Sequence, residues 1–200
     1  MKNYFSKIDA KQQYKLAVEE LNRGRINNAF ELLDRAIEKY ENHIESLTLR
    51  GNLYAGINKW DKTLLDFEKL NVIQPKTKNI KLIIGNCHYH MRNYNESIKF
   101  LTEHILIEPK YLVAYVNRAN SYKNINKFEK ALIDINEAIR ITPRNIDSYL
   151  LRAEIQEELN QLKEAKGNRL FELVPDVEII KSEKLRIEEL KIRSTVPNNV

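Results

Sequence analysis

The residues best equipped for chemistry lie together in the run Cys87-His88-Tyr89-His90. A thiol and two imidazoles are the donors of a zinc site, or the makings of a nucleophile with its base. On a helix the spacing works against both. His88 and His90 are two apart and diverge, while Cys87 and His90, three apart, share a face but supply only two of the usual three or four metal ligands. His88 also falls on a place that Tyr54 and Tyr122 fill elsewhere, and His104 on a place shared by Ala36 and Ala138, so packed histidines are expected at both. The paired acids Glu19-Glu20, Glu157-Glu158 and Glu188-Glu189 are sequence neighbours that point apart and read as solvated surface. The chain contains no glycine-rich phosphate loop, no nucleophile elbow and no His-Glu-x-x-His motif. An enzyme, a metal centre and a cofactor are therefore not expected.

The elements that carry these residues repeat. Pro75, Pro109 and Pro143 stand 34 residues apart twice in succession. The same step yields a small-residue ladder, Ala17, Gly51, Gly85, Ala119 and Ala153, and a second, Ala29, Thr63, Ser97, Ala131 and Ala165, where two helices must touch. Two further ladders, Ile26-Trp60-Tyr94-Phe128-Leu162 and Leu33-Phe67-Leu101-Ile135, are expected in the core. Within one step, apolar residues recur three and four apart, the helical period, so the fold class is all-α. In the step from Ile44 to Thr77, Gly56-Ile57-Asn58-Lys59 reads as a turn, Asp61 as the cap of a second helix, and Pro75 as its stop.

The pattern Leu47-x-x-Arg50-Gly51-x-x-Tyr54 with Thr63, Phe67 and Pro75 resembles the tetratricopeptide repeat. So does Tyr115-x-x-Arg118-Ala119-x-x-Tyr122 with Ala131, Ala138 and Pro143. The resemblance implies a right-handed superhelical α-solenoid of helix-turn-helix repeats. Five units begin near Ala10, Ile44, Lys78, Leu112 and Ile146 and span residues 10–175, after an N-terminal extension at 1–9. The end units depart from the pattern: Glu20 and Glu41 replace the usual aromatic and Pro, and Gln156, Arg169 and Glu172 stand in normally apolar or small places. Gly167-Asn168 should weaken the fifth unit's second helix. Residues 176–193 read as a charged, partly apolar capping helix, and 194–200 as a disordered tail.

In such a solenoid the first helix of each unit lines the concave surface. Asn52, Asn86 and Asn120 recur there at one place, and their amides can both donate to and accept from an extended peptide backbone. Asn117, Tyr89 and Lys123 join them as partner-binding candidates. Some tetratricopeptide domains hold a chaperone's C-terminal carboxylate with Lys and Asn residues over three units. Here Asn86 and Asn117 keep the two Asn places, but Leu82, Asp147 and Leu151 replace the basic ones, which removes the charge-assisted contacts. Arg50, Arg118 and Arg152 share another place, where the expected arrangement is a packed stem with the head in solvent.

Composition bounds the rest. A hydrophobic share of 42% suffices for a continuous core, and a single cysteine permits no intrachain disulfide, which fits a reducing compartment such as the cytoplasm. No stretch has the length and apolarity of a membrane span. Residues 78–145 carry 11 Lys/Arg against 6 Asp/Glu, an excess that suits an acidic protein or peptide partner but falls short of a nucleic-acid-binding stripe. The expected function is a protein-binding adaptor, monomeric or weakly dimeric. Self-assembly through the chain ends, where Tyr4, Phe5 and Ile8 precede the first unit, and a small chaperone for a secreted or assembling partner are the alternatives.

Overall fold

The computed structural model describes residues 2–165, with side chains from 6 to 162. All the regular structure among the described residues is helical: α1 (Lys2–Asn22), α2 (Ile26–Lys39), α3 (Ile44–Gly56), α4 (Trp60–Ile73), α5 (Lys78–His90), α6 (Tyr94–Ile107), α7 (Leu112–Asn124), α8 (Phe128–Ile141) and α9 (Ile146–Ala165). The 34-residue step appears directly in these bounds. Helices α3, α5 and α7 are each 13 residues long, and α2, α4, α6 and α8 are each 14. The chain divides within α6, after Phe100, into two compact units.

The turn inside each helix pair has a fixed chemistry. Gly24, Asn58, Arg92 and Asn126, again one step apart, occupy the left-handed region with φ of 73°, 57°, 61° and 58°. The next amide then reaches back to the carbonyl five residues earlier: Arg25 N–H to Glu20 O, Lys59 to Tyr54, Asn93 to His88 and Lys127 to Tyr122, at 2.8–2.9 Å. This is the helix-ending motif that satisfies the last carbonyls of α1, α3, α5 and α7. It also moves the cap expected at Asp61. Lys59 closes α3 and is at once the residue preceding α4, so Asp61 lies in the first turn and makes no cap. An acid there favours the positive end of the helix instead.

Helices α4, α6 and α8 end at Ile73, Ile107 and Ile141, two residues before their prolines. Tyr115 Oη donates to Pro109 O and Tyr149 Oη to Pro143 O, each at 3.1 Å, tying two of these connections to the helix that follows.

Packing follows the small-residue ladder. Ala17, Gly51, Gly85, Ala119 and Ala153 are all buried, as are Leu33, Phe67, Leu101 and Ile135. In the first unit one core cluster holds Leu47, Phe67, Leu70, Ile80 and Ile84, and another Ala17, Ala29 and Leu33. The ladder that opens the second helices is less uniform. Phe128 is buried, Trp60 and Tyr94 are half-buried, and Ile26, expected in the core, is 48% exposed. His90 stacks on Trp60 with the ring centroids 3.9 Å apart and covers part of it.

Helix α9 departs from the step. It runs 20 residues, straight through Asn160, the place where each earlier pair turns. Glu157, Glu158, Leu159, Gln161 and Leu162 around it are strong helix formers, which favours propagation over the turn. The capping helix at 176–193, the tail at 194–200 and the Gly167-Asn168 weak point lie outside the described residues.

Candidate functional site

The first helices bring the candidate binding residues to equivalent places. In the unit of residues 1–100, α3 presents Asn52, which is exposed, and α5 presents Asn86 and Tyr89, which are half-buried. In the second unit α7 carries Asn117, Asn120 and Lys123, spaced three apart and so on one face. The structure thus groups the six as three on each unit.

Their hydrogen bonds qualify what they can hold. Asn120 Nδ2 donates to Val116 O at 3.1 Å, so one of its amide hydrogens serves its own helix while Oδ1 remains an acceptor for a partner N–H. Lys123 Nζ pairs with Glu154 Oε2 of α9 at 3.2 Å. A carboxylate that reached Lys123 would compete with this exposed pair, which is weak enough to exchange. Asn86 and Asn117 have interactions of their own and are not idle amides.

Tyr89 belongs to an aromatic cluster that the separate ladders did not reveal. Its ring meets His90 edge-on at 5.5 Å and Tyr94 at 5.8 Å, and His90 stacks on Trp60 at 3.9 Å with the planes 6° apart. The signal was available in sequence, since the end of α5 lies beside the starts of the flanking second helices once the turn is placed. Such a cluster presents flat apolar area with polar tips.

The reactive-looking run does different work. Cys87 is fully buried, and desolvation pushes its thiol up to about 12, so it stays protonated and inert at neutral pH. His88 stacks on Phe100 at 5.5 Å, and His104 is fully buried with its ring edge-on to Tyr111 at 5.1 Å. Burial holds the imidazoles of both His88 and His90 below their ordinary range, favouring the neutral ring. Among the described residues, no group of three or more His, Cys, Asp or Glu is placed to hold a metal ion.

The arginine place is also structural, though not in the expected way. Arg50 does not show its head to solvent: Nε and Nη2 bind Asp66 at 3.0 and 2.6 Å, and Nη1 binds Asp34 at 2.6 Å. Arg118 repeats this on Asp134 at 2.8 and 2.6 Å, with Nη1 on Thr102 at 2.9 Å. Asp66 and Asp134 are each 2% exposed, so the fork is recruited inward to satisfy a buried carboxylate. Burial opposes the charge on Arg50, but the hydrogen bonds from Asp66 and Asp34 outweigh it and raise the guanidinium above its ordinary value. These arginines are spent on the fold and are not offered to a ligand.

Residues 112–145, helices α7 and α8 with their turn, match the family model of the tetratricopeptide repeat. One tetratricopeptide repeat thus lies at residues 112–145. Solved tetratricopeptide structures share the fold across most of its length. The double mutant of MamA RS-1 is 16% identical with a TM-score of 0.78, over 94% of this chain and 97% of that one. YrrB, described as a TPR protein with an unusual peptide-binding site, is 14% identical with a TM-score of 0.70, over 90% and 87%. The first TPR of Spaghetti, solved with an HSP90 peptide, is 17% identical with a TM-score of 0.56, over 58% and 93%. No curated protein sequence matches the chain. Among the described residues no helix is long and apolar enough to cross a membrane.

Proposed function

We propose that this tetratricopeptide-repeat chain, built of five repeats beginning near Ala10, Ile44, Lys78, Leu112 and Ile146, is a non-catalytic cytoplasmic adaptor that binds a segment of a partner protein. The observation that carries the reading is the recurrence of amide side chains at one place on α3, α5 and α7: Asn52, Asn86 and Asn120. An amide that both donates and accepts can satisfy the backbone of an extended segment without depending on its sequence. Tyr89 on the first unit supplies apolar area, and Asn117 and Lys123 on the second supply a further amide and a cation. The excess of 11 Lys/Arg over 6 Asp/Glu in residues 78–145 favours an acidic segment by steering its approach. Two of the structural neighbours, YrrB and the Spaghetti domain, are described with peptide sites or bound peptide, which supports the class of ligand.

The test is affinity capture from native lysate by the chain and by its Asn86→Ala/Asn120→Ala variant, after circular dichroism has matched their helicity. The expected result is a protein retained by the first and lost with the second. Equal retention by both moves binding away from the Asn ladder and overturns the assignment. A concentration-dependent increase in mass by light scattering, with nothing captured, replaces it with self-assembly.

A further inference from the structure

Four residues in register, His43, Thr77, Tyr111 and Asn145, precede α3, α5, α7 and α9. Two of them do the same job with different atoms. Asn145 Oδ1 accepts from Ser148 N–H at 2.9 Å and from Ser148 Oγ at 2.6 Å. His43 Nδ1 accepts from Ser46 N–H at 3.3 Å and lies 2.8 Å from Ser46 Oγ. Both serines are fully buried, so neither amide has water as a substitute acceptor. An amide oxygen holds its lone pairs at any ordinary pH, whereas an imidazole nitrogen gives up its lone pair to a proton within the physiological range.

A backbone N–H only donates, so Nδ1 must be bare and the ring proton must sit on Nε2, which faces Glu45 Oε2 at 3.6 Å. The ring is 5% exposed, between Tyr14 of α1 at 5.8 Å and Tyr40, at the end of α2, at 6.5 Å. One imidazole therefore joins three helices. The charged groups acting on it are Lys7 and Lys11 from α1 and Glu45 from α3, with the phenols of Tyr14 and Tyr40 alongside.

We propose that His43 is a proton-sensitive cap of α3, whose loss on acidification frees the first turn of α3 from α1 and α2. A proton on Nδ1 turns both ring nitrogens into donors, and Ser46 N–H then has no acceptor. The surroundings resist this at neutral pH. Burial holds the imidazole below its ordinary range; Glu45 works against that, and Lys7 and Lys11 with it. A His whose folded value is depressed contributes stability above its ordinary range, and that contribution disappears as pH falls through the folded value.

The experiment copies the chain's own solution, His43→Asn, and reads amide hydrogen-exchange protection factors in the full chain at about pH 7.5 and about pH 5, either side of the imidazole range. In the wild type, protection at Ser46 is expected to fall about fivefold on acidification, the worth of one cap, while Ser148 under Asn145 holds. In His43→Asn, Ser46 should behave like Ser148. An equal fall at Ser46 in both proteins, or none in the wild type, overturns the proposal. A second measurement serves if the variant does not fold: nitrogen chemical shifts of the wild-type imidazole should show Nδ1 unprotonated at about pH 7.5, with a titration midpoint matching the loss of Ser46 protection. A proton on Nδ1 at that pH would also overturn it.

Discussion

Arg50 and Arg118 each hold a buried carboxylate sixteen residues on, and the same pair of places is filled by Leu16 with Leu32 and by Ile84 with Phe100 in the alternate repeats. Polar is matched with polar and apolar with apolar. An ion pair out of water recovers through Coulomb and hydrogen-bond energy roughly what desolvation takes, so a well-packed apolar pair is an equivalent solution, whereas half a pair is not. Asp134→Leu alone, which strands the Arg118 guanidinium, is expected to cost on the order of 3 kcal/mol. Arg118→Leu/Asp134→Leu, which copies the first repeat, should recover most of it. Urea unfolding of the two singles and the double forms the cycle that checks this; additive losses would show that the pair is not a unit.

At the scale of the helix pair, close approach depends on size matching. A Cβ added at Gly51 would stand 2.7 Å from Phe67 Cε2 and 3.3 Å from Asp66 Cβ. Opposite smaller residues the place takes Ala twice, Ala17 with Leu33 and Ala119 with Ile135, and keeps glycine once, Gly85 with Leu101. Gly51→Ala gains helix propensity of about 1 kcal/mol but overpacks by about 1–3 kcal/mol, so a net loss is expected. Gly51→Ala/Phe67→Leu should be more stable than Gly51→Ala alone, measured as a shift in thermal midpoint. The turns offer the opposite experiment. Arg92 sits at φ 61° where its counterparts are Gly24, Asn58 and Asn126, and a non-glycine residue there carries about 1 kcal/mol or more of backbone strain. Arg92→Gly is expected to raise the thermal midpoint by relieving it.

Across the whole molecule, every histidine packs against an aromatic ring: His43 on Tyr14 and Tyr40, His88 on Phe100, His90 on Trp60 and Tyr89, His104 on Tyr111. For His43, His88 and His90, burial is the leading cause of a depressed value. The sign is common to the three. Folding favours the neutral ring, so stability is full above the ordinary histidine range and declines as pH falls through the folded values. The thermal midpoint is expected to drop between about pH 7 and about pH 5, where the unperturbed imidazole titrates. A midpoint that stays level or rises over that interval would contradict it. Trp60, the chain's one tryptophan, reports locally, because protonation of the ring stacked on it should alter its fluorescence over the same interval.

Helix type and repeat step were determined by sequence alone, because they rest on local rules. Proline stops α4, α6 and α8, and a 34-residue recurrence of small and large residues fixes which faces meet. Asn58, within Gly56-Ile57-Asn58-Lys59, carried a legible turn signal; Arg92 hid the equivalent turn because its side chain does not advertise a positive φ. Tertiary structure decided what depends on a partner. It turned the heads of Arg50 and Arg118 inward because buried carboxylates awaited them, and left Ile26 exposed where periodicity had placed it in the core. It also gathered Trp60, Tyr89, His90 and Tyr94 into one cluster, and made His43 a cap by burying Ser46 beneath it. Periodicity specifies where a side chain stands on its own helix; only the neighbouring helix specifies what it finds there.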